Sequence, residues 1–143
     1  MSLSELRVDE LLDAVGARTP APASGSVAAL TGALAAALAE LAARFADDEA
    51  SVVRARALVA RLAELADEDA AAYTAFMDSR SDEARRRTID VPEEVAACAD
   101  QVVLLADGVR GRVSSAVAGD AEASAELARA VARVTRRLAE SNA

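Results

Sequence analysis

The chain has 143 residues, of which 39 are alanine, 6 glycine and 3 proline. This mixture favours long helices in a single domain over residues 1–143. The net charge of −8 argues against nucleic acid or an anionic membrane as a partner. All 16 basic residues are arginine, so the absence of lysine and histidine excludes a histidine base, a Ser-His-Asp triad, a Schiff-base lysine and histidine-containing zinc sites.

The cysteine content and the N-terminal segment indicate the cellular compartment of the protein. Cys98 is the only cysteine and allows no intramolecular disulfide, which is typical of a reducing compartment. Its place among apolar residues predicts a core position. The first 15 residues lack the basic-then-apolar pattern of a signal peptide. We therefore expect a cytoplasmic protein.

The first predicted helix runs from an N-cap at Ser4 to about Val15, and its inner face carries Val8, Leu11, Leu12 and Val15. The following stretch, Gly16 to Ser24, holds two of the three prolines and predicts a loop. A small-residue loop that leads into a helix N-terminus exposes unpaired backbone N–H groups, which can bind an anion or a carboxylate. Ordinary helix capping explains Ser24 and Ser26 equally well.

The second predicted helix begins near Gly25–Ser26, ends near Phe45 and is apolar on almost all sides. One narrow face carries the large residues Val27, Leu30, Leu34, Leu38, Leu41 and Phe45, and a second face carries Ala28, Gly32, Ala35, Ala36, Ala39 and Ala43. The uncharged run from Val27 to Ala39 is 13 residues long, too short to span a bilayer. The pattern predicts the central helix of a bundle. The Ala/Gly face and the small alanine-rich core together predict a homodimer.

The remaining pattern predicts three more helices. The third runs from about Asp48 to Met77 with one apolar stripe, and a break at Ser79–Asp82 leads into a basic turn, Arg85–Arg87. Pro92 is expected as the first residue of a fourth helix that ends near Val117. Gly119–Asp120 is expected to break the chain before the last helix. These elements predict an all-α, up-and-down bundle of about five helices.

Asp69 is the charged residue that fits this bundle least well. It projects into the apolar stripe of the third helix, between Leu62 and Tyr73. Burying an unpaired carboxylate costs several kcal/mol, so the group must be paired, protonated or kept wet by a cavity. The residues alone leave two interpretations open: an ion pair with an arginine of a neighbouring helix, or a carboxylate facing a substrate cavity.

Two further groups of charged residues have both a structural and a functional interpretation. Asp120 lies in line with the apolar face of the last helix and is either an N-cap or a second site carboxylate. The run Arg85–Arg87 is either solvated or holds anionic groups of a ligand.

Three sequence elements carry a family resemblance. The string from Pro22 to Leu38, PASGSVAALTGALAAAL, resembles the Pro-Gly-Gly-Gly-Ser-Val-Ala-Ala-Leu-x-Gly-Ala-Leu signature of the cyclodeaminase/cyclohydrolase family. Leu65–Tyr73 is similar to the Asp-x-x-Ala-Tyr/Phe element of that family, and Val91–Leu105 resembles its Val-Pro-opened helix. Two glycines of the family loop are replaced here by Ala23 and Ser24, whose side chains would interfere if the backbone needed positive φ.

The resemblance implies a helical bundle that dimerises and binds a folate where helices or subunits meet. The implied substrate is a tetrahydrofolate derivative, with no metal. The implied reaction is hydrolysis of methenyltetrahydrofolate or deamination of formiminotetrahydrofolate. The candidate catalytic residues are Asp69, to stabilise the cationic folate and orient water, and Asp120, to accept a proton. The candidate substrate-binding residues are Ser24, Gly25, Ser26, Tyr73, Arg85 and Arg86.

Two other functions remain compatible with the sequence. One is a binding module that keeps a pocket for a folate or another small molecule but has lost the chemistry. The other is a purely structural dimeric bundle. A binding module for folate, unlike a structural bundle, should change its melting temperature on addition of a reduced folate. Turnover of a folate substrate distinguishes an enzyme from both.

Overall fold

The computed structural model describes all 143 residues and contains helices but no strand. A 3₁₀ turn and five α-helices follow one another: the turn at Leu3–Glu5, α1 at Val8–Gly16, α2 at Ser24–Phe45, α3 at Glu49–Ser79, α4 at Asp82–Arg110 and α5 at Ser115–Asn142. The predicted all-α class is confirmed.

The four long helices form the bundle. α2 packs between α3 and α5, and α4 closes the bundle on the far side, against the same two helices. The main core is built from alanines and from larger residues such as Leu62, Leu65, Val95 and Val102. A smaller apolar cluster around Val52, Val109 and Val117 fills the end of the bundle where α2 ends. The chain therefore runs up and down, and successive helices lie antiparallel.

α2 turns its small residues inward. Its buried residues are Gly25, Ser26, Ala28, Ala29, Gly32, Ala35, Ala36, Ala39, Ala42 and Ala43, whereas Leu34 and Phe45 are more than 60% exposed. Small side chains let neighbouring helices approach closely. The Ala/Gly face of this helix therefore packs within the chain, against α3, α4 and α5, and gives no support to the predicted homodimer. α2 is also the one helix long and apolar enough to cross a membrane, and half of its most apolar window is buried inside the bundle.

The N-terminal segment differs from the predicted continuous helix. Ser2, not Ser4, caps the 3₁₀ turn, with Glu5 completing a capping box. Extended residues at Leu6 and Arg7 then separate this turn from α1. α1 has no fully buried residue: Val8 and Leu12 of its predicted apolar face are exposed, and Leu11 and Val15 are only partly buried. The 3₁₀ turn is the anchored part: Leu3 packs against the main core, and its N–H donates to Asp67 Oδ1 at 2.8 Å.

The boundaries of α3 agree with the prediction, with Asp48 as its N-cap, but those of α4 and α5 do not. α4 begins at Asp82 because the Ser81 side chain accepts a hydrogen bond from Ala84 N–H, so Arg85–Arg87 and Pro92 lie inside the helix. α5 has Ser114 as its N-cap and runs through Gly119–Asp120 without a break. Asp120 is therefore not an N-cap.

Candidate functional site

A pocket of about 250 Å³ opens at the end of the bundle where α2 and α4 begin and α3 and α5 end. Its apolar lining comes from Pro20, Ala21, Ala23, Pro92 and Leu138, and its polar lining from Ser24, Gly25, Asp69, Tyr73, Thr88 and Asn142. The pocket thus combines one carboxylate with hydroxyl, amide and backbone groups. No group of three or more Cys, Asp or Glu side chains in the chain is arranged to hold a metal ion.

Asp69 is the only charged residue in the lining of this pocket. It forms no ion pair, so the bridge to a neighbouring arginine that the sequence left open is absent. Burial raises the pKa of its carboxyl group, and the backbone N–H of Ser26 opposes that shift. Asp69 is therefore a partly buried carboxylate that faces a cavity without a cationic partner.

Gly25 makes room for this carboxylate. A Cβ atom at position 25 would lie 2.2 Å from Asp69 Oδ1 and 2.3 Å from its Cγ, so any side chain would displace the carboxyl group. The preceding residues have no such constraint. Ala23 has φ −140°, Ser24 is the first residue of α2, and both are exposed. The replacement of two family glycines at Ala23 and Ser24 therefore introduces no backbone strain.

Ser26 holds the first turn of α2 against α3. It is fully buried, and its hydroxyl donates to the carbonyl oxygen of Ala66 at 2.7 Å. This bond ties the first turn of α2 to α3 one turn before Asp69. The hydroxyl is therefore used inside the protein, and substrate binding by Ser26 stays a prediction.

Comparison with known proteins identifies the fold. The sequence model of the formiminotransferase-cyclodeaminase family matches residues 7–143. The chain belongs to that family. The crystal structure of formiminotetrahydrofolate cyclodeaminase from Thermotoga maritima superimposes with a TM-score of 0.92 at 24% identity, covering 98% of this chain and 79% of the other. No curated protein sequence matches the chain significantly.

The pocket of this chain includes a contact that the sequence does not predict. Pro92 has no N–H to donate to the carbonyl of Thr88 four residues earlier, so that carbonyl is left without its helical partner. The side-chain amide of Asn142 donates to it at 2.9 Å, which ties the end of α5 to the proline-containing part of α4. A proline inside a helix is the available signal, but the residue that compensates for it is Asn142, 54 residues from Thr88 in sequence.

Tyr73 and the predicted arginines occupy different positions relative to the pocket. Tyr73 lines it and is 39% exposed. Arg85 does not: its guanidinium donates to the carbonyl oxygens of Asn142 at 3.1 Å and Ala143 at 2.9 Å, in a shallow groove beside the pocket. Arg86 is exposed and makes no ion pair, and Arg87 pairs with Glu68 at 3.3 Å. Neither Arg85 nor Arg86 lines the pocket itself, and substrate binding by these two residues stays a prediction.

Asp120 lies far from the pocket in this chain. It precedes Asn142 by 22 residues of the same helix, which corresponds to about 33 Å along the axis. It makes no ion pair and no side-chain hydrogen bond. Within a single chain Asp69 and Asp120 therefore occupy opposite ends of the bundle, and the role of Asp120 as proton acceptor stays a prediction.

Proposed function

We propose that this chain binds a reduced folate in the end pocket and acts on its one-carbon unit. The reaction is either hydrolysis of methenyltetrahydrofolate or deamination of formiminotetrahydrofolate. Membership of the formiminotransferase-cyclodeaminase family supports the substrate class. The observation that carries the proposal is Asp69, a carboxylate in the pocket with no cationic partner.

The chemistry of the substrate explains why such a carboxylate is useful. Methenyltetrahydrofolate carries a delocalised amidinium cation between two ring nitrogens. Deamination of the formimino group forms this cation and releases ammonia, and hydrolysis consumes it by addition of water to its carbon. An ionised Asp69 stabilises the cation in either reaction, because charges attract more strongly in a partly dry site than in water. In hydrolysis it also orients the attacking water.

The size of the pocket indicates which part of the folate it holds. A cavity of about 250 Å³ is below the ~300–1,000 Å³ of typical ligand sites, so it accommodates the pteridine and one-carbon region rather than the whole molecule. Tyr73 offers an aromatic ring for stacking. The unpaired N–H groups near Ser24 offer donors for carbonyl or carboxylate oxygens. The aminobenzoyl-glutamate tail extends outside the pocket.

A second candidate function is folate binding without turnover. It is favoured by the single carboxylate of the pocket, since Asp120 lies at the other end of α5 and no second carboxylate lines the pocket beside Asp69. For either function we propose a cytoplasmic, single-domain homodimer. The absence of disulfide-forming cysteine pairs supports the compartment, and the net charge of −8 supports a protein that binds neither nucleic acid nor anionic membranes.

The test begins with thermal unfolding in the presence of 5,10-methenyltetrahydrofolate. Binding predicts a higher melting temperature for the wild type and a smaller increase for Asp69→Asn, which keeps the shape and removes the charge. Asp90→Asn is the matched control, because Asp90 is exposed on α4. An unchanged melting temperature in the wild type at millimolar folate would contradict both candidate functions.

Turnover then separates the two candidates. Loss of the methenyl absorbance beyond the uncatalysed rate indicates a cyclohydrolase, and ammonia release from formiminotetrahydrofolate indicates a cyclodeaminase. Either activity should fall by at least ~100-fold in Asp69→Asn and stay unchanged in Asp90→Asn. A raised melting temperature with neither activity leaves the binding function.

A further inference from the structure

Two polar side chains on the α4 and α5 side of the end pocket donate their hydrogen atoms to backbone carbonyl groups. Thr88 is buried, and its hydroxyl donates to the carbonyl oxygen of Arg85 at 2.6 Å. The side-chain amide of Asn142 donates to the carbonyl oxygen of Thr88 at 2.9 Å. A carbonyl oxygen can only accept, so the nitrogen of this amide must face Thr88 and its oxygen is directed away from that carbonyl. Toward a ligand, the Thr88 hydroxyl oxygen and the Asn142 amide oxygen therefore act as acceptors.

The side-chain oxygen of Asn142 is free and accessible. It accepts no hydrogen bond within the chain, whereas every buried side-chain nitrogen or oxygen has a partner. Asn142 is half-buried, so an oxygen without a partner must be one that solvent can reach. Asn142 lines two cavities, the end pocket and the shallow groove beside it, and Tyr73 and Thr88 also line both. A small molecule bound in the pocket can therefore donate to this oxygen.

Hydrogen bonds hold Asn142 in place before any ligand binds. The guanidinium of Arg85 donates to the backbone carbonyl oxygen of Asn142 at 3.1 Å, and the amide nitrogen is bonded to α4. A side chain that is already ordered loses little rotamer freedom on binding. Its oxygen is therefore a preorganised acceptor, unlike that of an unrestrained surface residue.

The acceptors of the pocket lie on three helices, and its donors lie at the start of a fourth. Asp69 of α3, Thr88 of α4 and Asn142 of α5 present oxygen atoms, and no arginine lines the pocket. The N–H groups near Ser24 at the start of α2 are the donors. This arrangement fits a flat ring that carries several N–H groups and a carbonyl group. The pteridine of a reduced folate has this pattern, with an amino group at C2, N–H groups at N3 and N8, and a carbonyl group at C4.

We propose that Asn142 is a specificity-determining residue for the pteridine, and that its side-chain oxygen accepts a hydrogen bond from a ring N–H or the amino group. The inference rests on the proposed function, because it assigns one end of the folate to a particular side chain. A ligand without that hydrogen would leave the oxygen covered and unpaired, which costs binding free energy. The competing roles of Asn142 are a purely structural link to α4 and a contact with the folate tail in the groove.

The first experiment measures recognition after the structural role of Asn142 has been replaced. Pro92→Ala supplies a backbone N–H to the Thr88 carbonyl, which then no longer needs the Asn142 amide. In this background, titration calorimetry measures the binding of tetrahydrofolate, which has no one-carbon unit to react. Asn142→Leu is similar in size but has no acceptor, so it should weaken binding roughly 10-fold. Asn142→Asp keeps an acceptor and should stay within about 3-fold of its parent.

Ser141→Ala in the same background is the matched control. Ser141 lines the groove but not the pocket, so this variant should bind tetrahydrofolate as its parent does. Circular dichroism verifies that all the variants remain folded. Unchanged affinity in Asn142→Leu, or an equal loss in Ser141→Ala, overturns the proposal.

The second experiment uses two fragments of the ligand to identify the part that Asn142 contacts. Tetrahydropterin keeps the reduced pteridine without the tail, and p-aminobenzoylglutamate keeps only the tail. Asn142→Leu should weaken the binding of tetrahydrofolate and of tetrahydropterin by the same factor and leave that of p-aminobenzoylglutamate unchanged. A loss of affinity for tetrahydrofolate without a loss for tetrahydropterin means that the oxygen contacts the tail, and it overturns the proposal.

These outcomes are distinguishable from a failure of the proposed function. If the wild type binds tetrahydrofolate and Asn142→Leu binds it as tightly as its parent does, only the role of Asn142 is contradicted. If the wild type binds no reduced folate at millimolar concentration, the proposed function is contradicted and the role of Asn142 with it.

Discussion

At the scale of single residues, the contact between Gly25 and Asp69 determines the geometry of the pocket. The first turn of α2 lies so close to α3 that the carboxyl group occupies the space of a side chain at position 25. Glycine is needed here for close approach and not for an unusual backbone angle, since no glycine of the chain has positive φ. The one glycine of the Gly-Gly-Gly loop that this chain retains, Gly25, is therefore the one its geometry requires.

The contact predicts a specific cost for Gly25→Ala. The new methyl group must push the Asp69 carboxylate aside, so we expect a loss of roughly 1–3 kcal/mol in the free energy of unfolding and weaker folate binding. Gly119→Ala is the control, because nothing lies within 4 Å of its Cβ position and alanine favours the helix by ~0.5–1 kcal/mol. Urea unfolding measures both. Equal stabilisation by the two variants would show that α2 and Asp69 are not in close contact.

The raised pKa of Asp69 predicts how stability depends on pH. The unfolded chain ionises this group near its ordinary pKa of 3.8, whereas the folded chain keeps the proton to higher pH. Between the pKa of the unfolded chain and that of the folded chain, the folded state binds more protons than the unfolded state. The contribution of Asp69 to the free energy of unfolding therefore falls as pH rises and stays low above the folded pKa. The stability of Asp69→Asn relative to the wild type should therefore be greater at pH 7 than at pH 4.

Urea unfolding of the wild type, Asp69→Asn and Asp69→Leu at both pH values tests this expectation. Asp90→Asn supplies the control, since this exposed carboxylate should show no comparable change between the two pH values. Asp69→Leu should be neutral or stabilising at pH 7. Removing one member of a buried ion pair costs about 3–5 kcal/mol, because the other charge stays buried without a partner. A decrease of that size in the free energy of unfolding of Asp69→Leu would therefore contradict an unpaired Asp69.

At the scale of helices, the sequence predicts the elements better than their orientation. Asp48 caps α3 where expected, because a cap and a single apolar stripe are local signals. α2 was predicted as a helix, but the sequence did not predict which of its two apolar faces turns inward. Both of its faces are apolar, and helical periodicity does not show which one the neighbouring helices cover. Close packing of alanines in the monomer decided it, which is a tertiary effect.

The pocket shows the same division between local and tertiary information. Periodicity placed Asp69 on the inner face of α3, and the structure puts it in the lining of the cavity. Thr88 and Asn142 were not predicted, because their contact joins α4 to the end of α5 across 54 residues. Arg85 was predicted to bind substrate because of its charge alone. The sequence does not show that its guanidinium contacts the carbonyls at the end of α5.

The link between α4 and α5 predicts a thermodynamic coupling. Asn142→Ala removes the donor to the Thr88 carbonyl and should lower the free energy of unfolding by ~1 kcal/mol. Pro92→Ala supplies a backbone N–H to the same carbonyl, so in that background Asn142→Ala should cost much less. A double-mutant cycle measured by urea unfolding gives the coupling directly. Additive effects would indicate that Asn142 does not compensate for the proline.

At the scale of the whole molecule, the core is built largely from alanine, with few large buried side chains such as Leu62, Leu65 and Val95. Alanine buries little apolar area, so each helix contributes less hydrophobic stabilisation than a leucine-rich helix would. The larger apolar side chains of α2 are on the outside, where they stabilise the fold only if another molecule covers them. The proposed homodimer would therefore link stability to association.

This linkage predicts a melting temperature that depends on protein concentration. For a dimer of 143-residue chains that unfolds and dissociates together, each tenfold increase in concentration adds ~1.4 kcal/mol and raises the melting temperature by about 2 °C. Scanning calorimetry from about 5 to 500 µM covers two such steps. Leu104→Arg, at an exposed position of α4, should keep the slope, whereas Leu34→Arg, at an exposed position of α2, should melt at a lower temperature that no longer changes with concentration. An identical slope in Leu34→Arg would mean that the association stabilising the fold uses a surface that does not include Leu34.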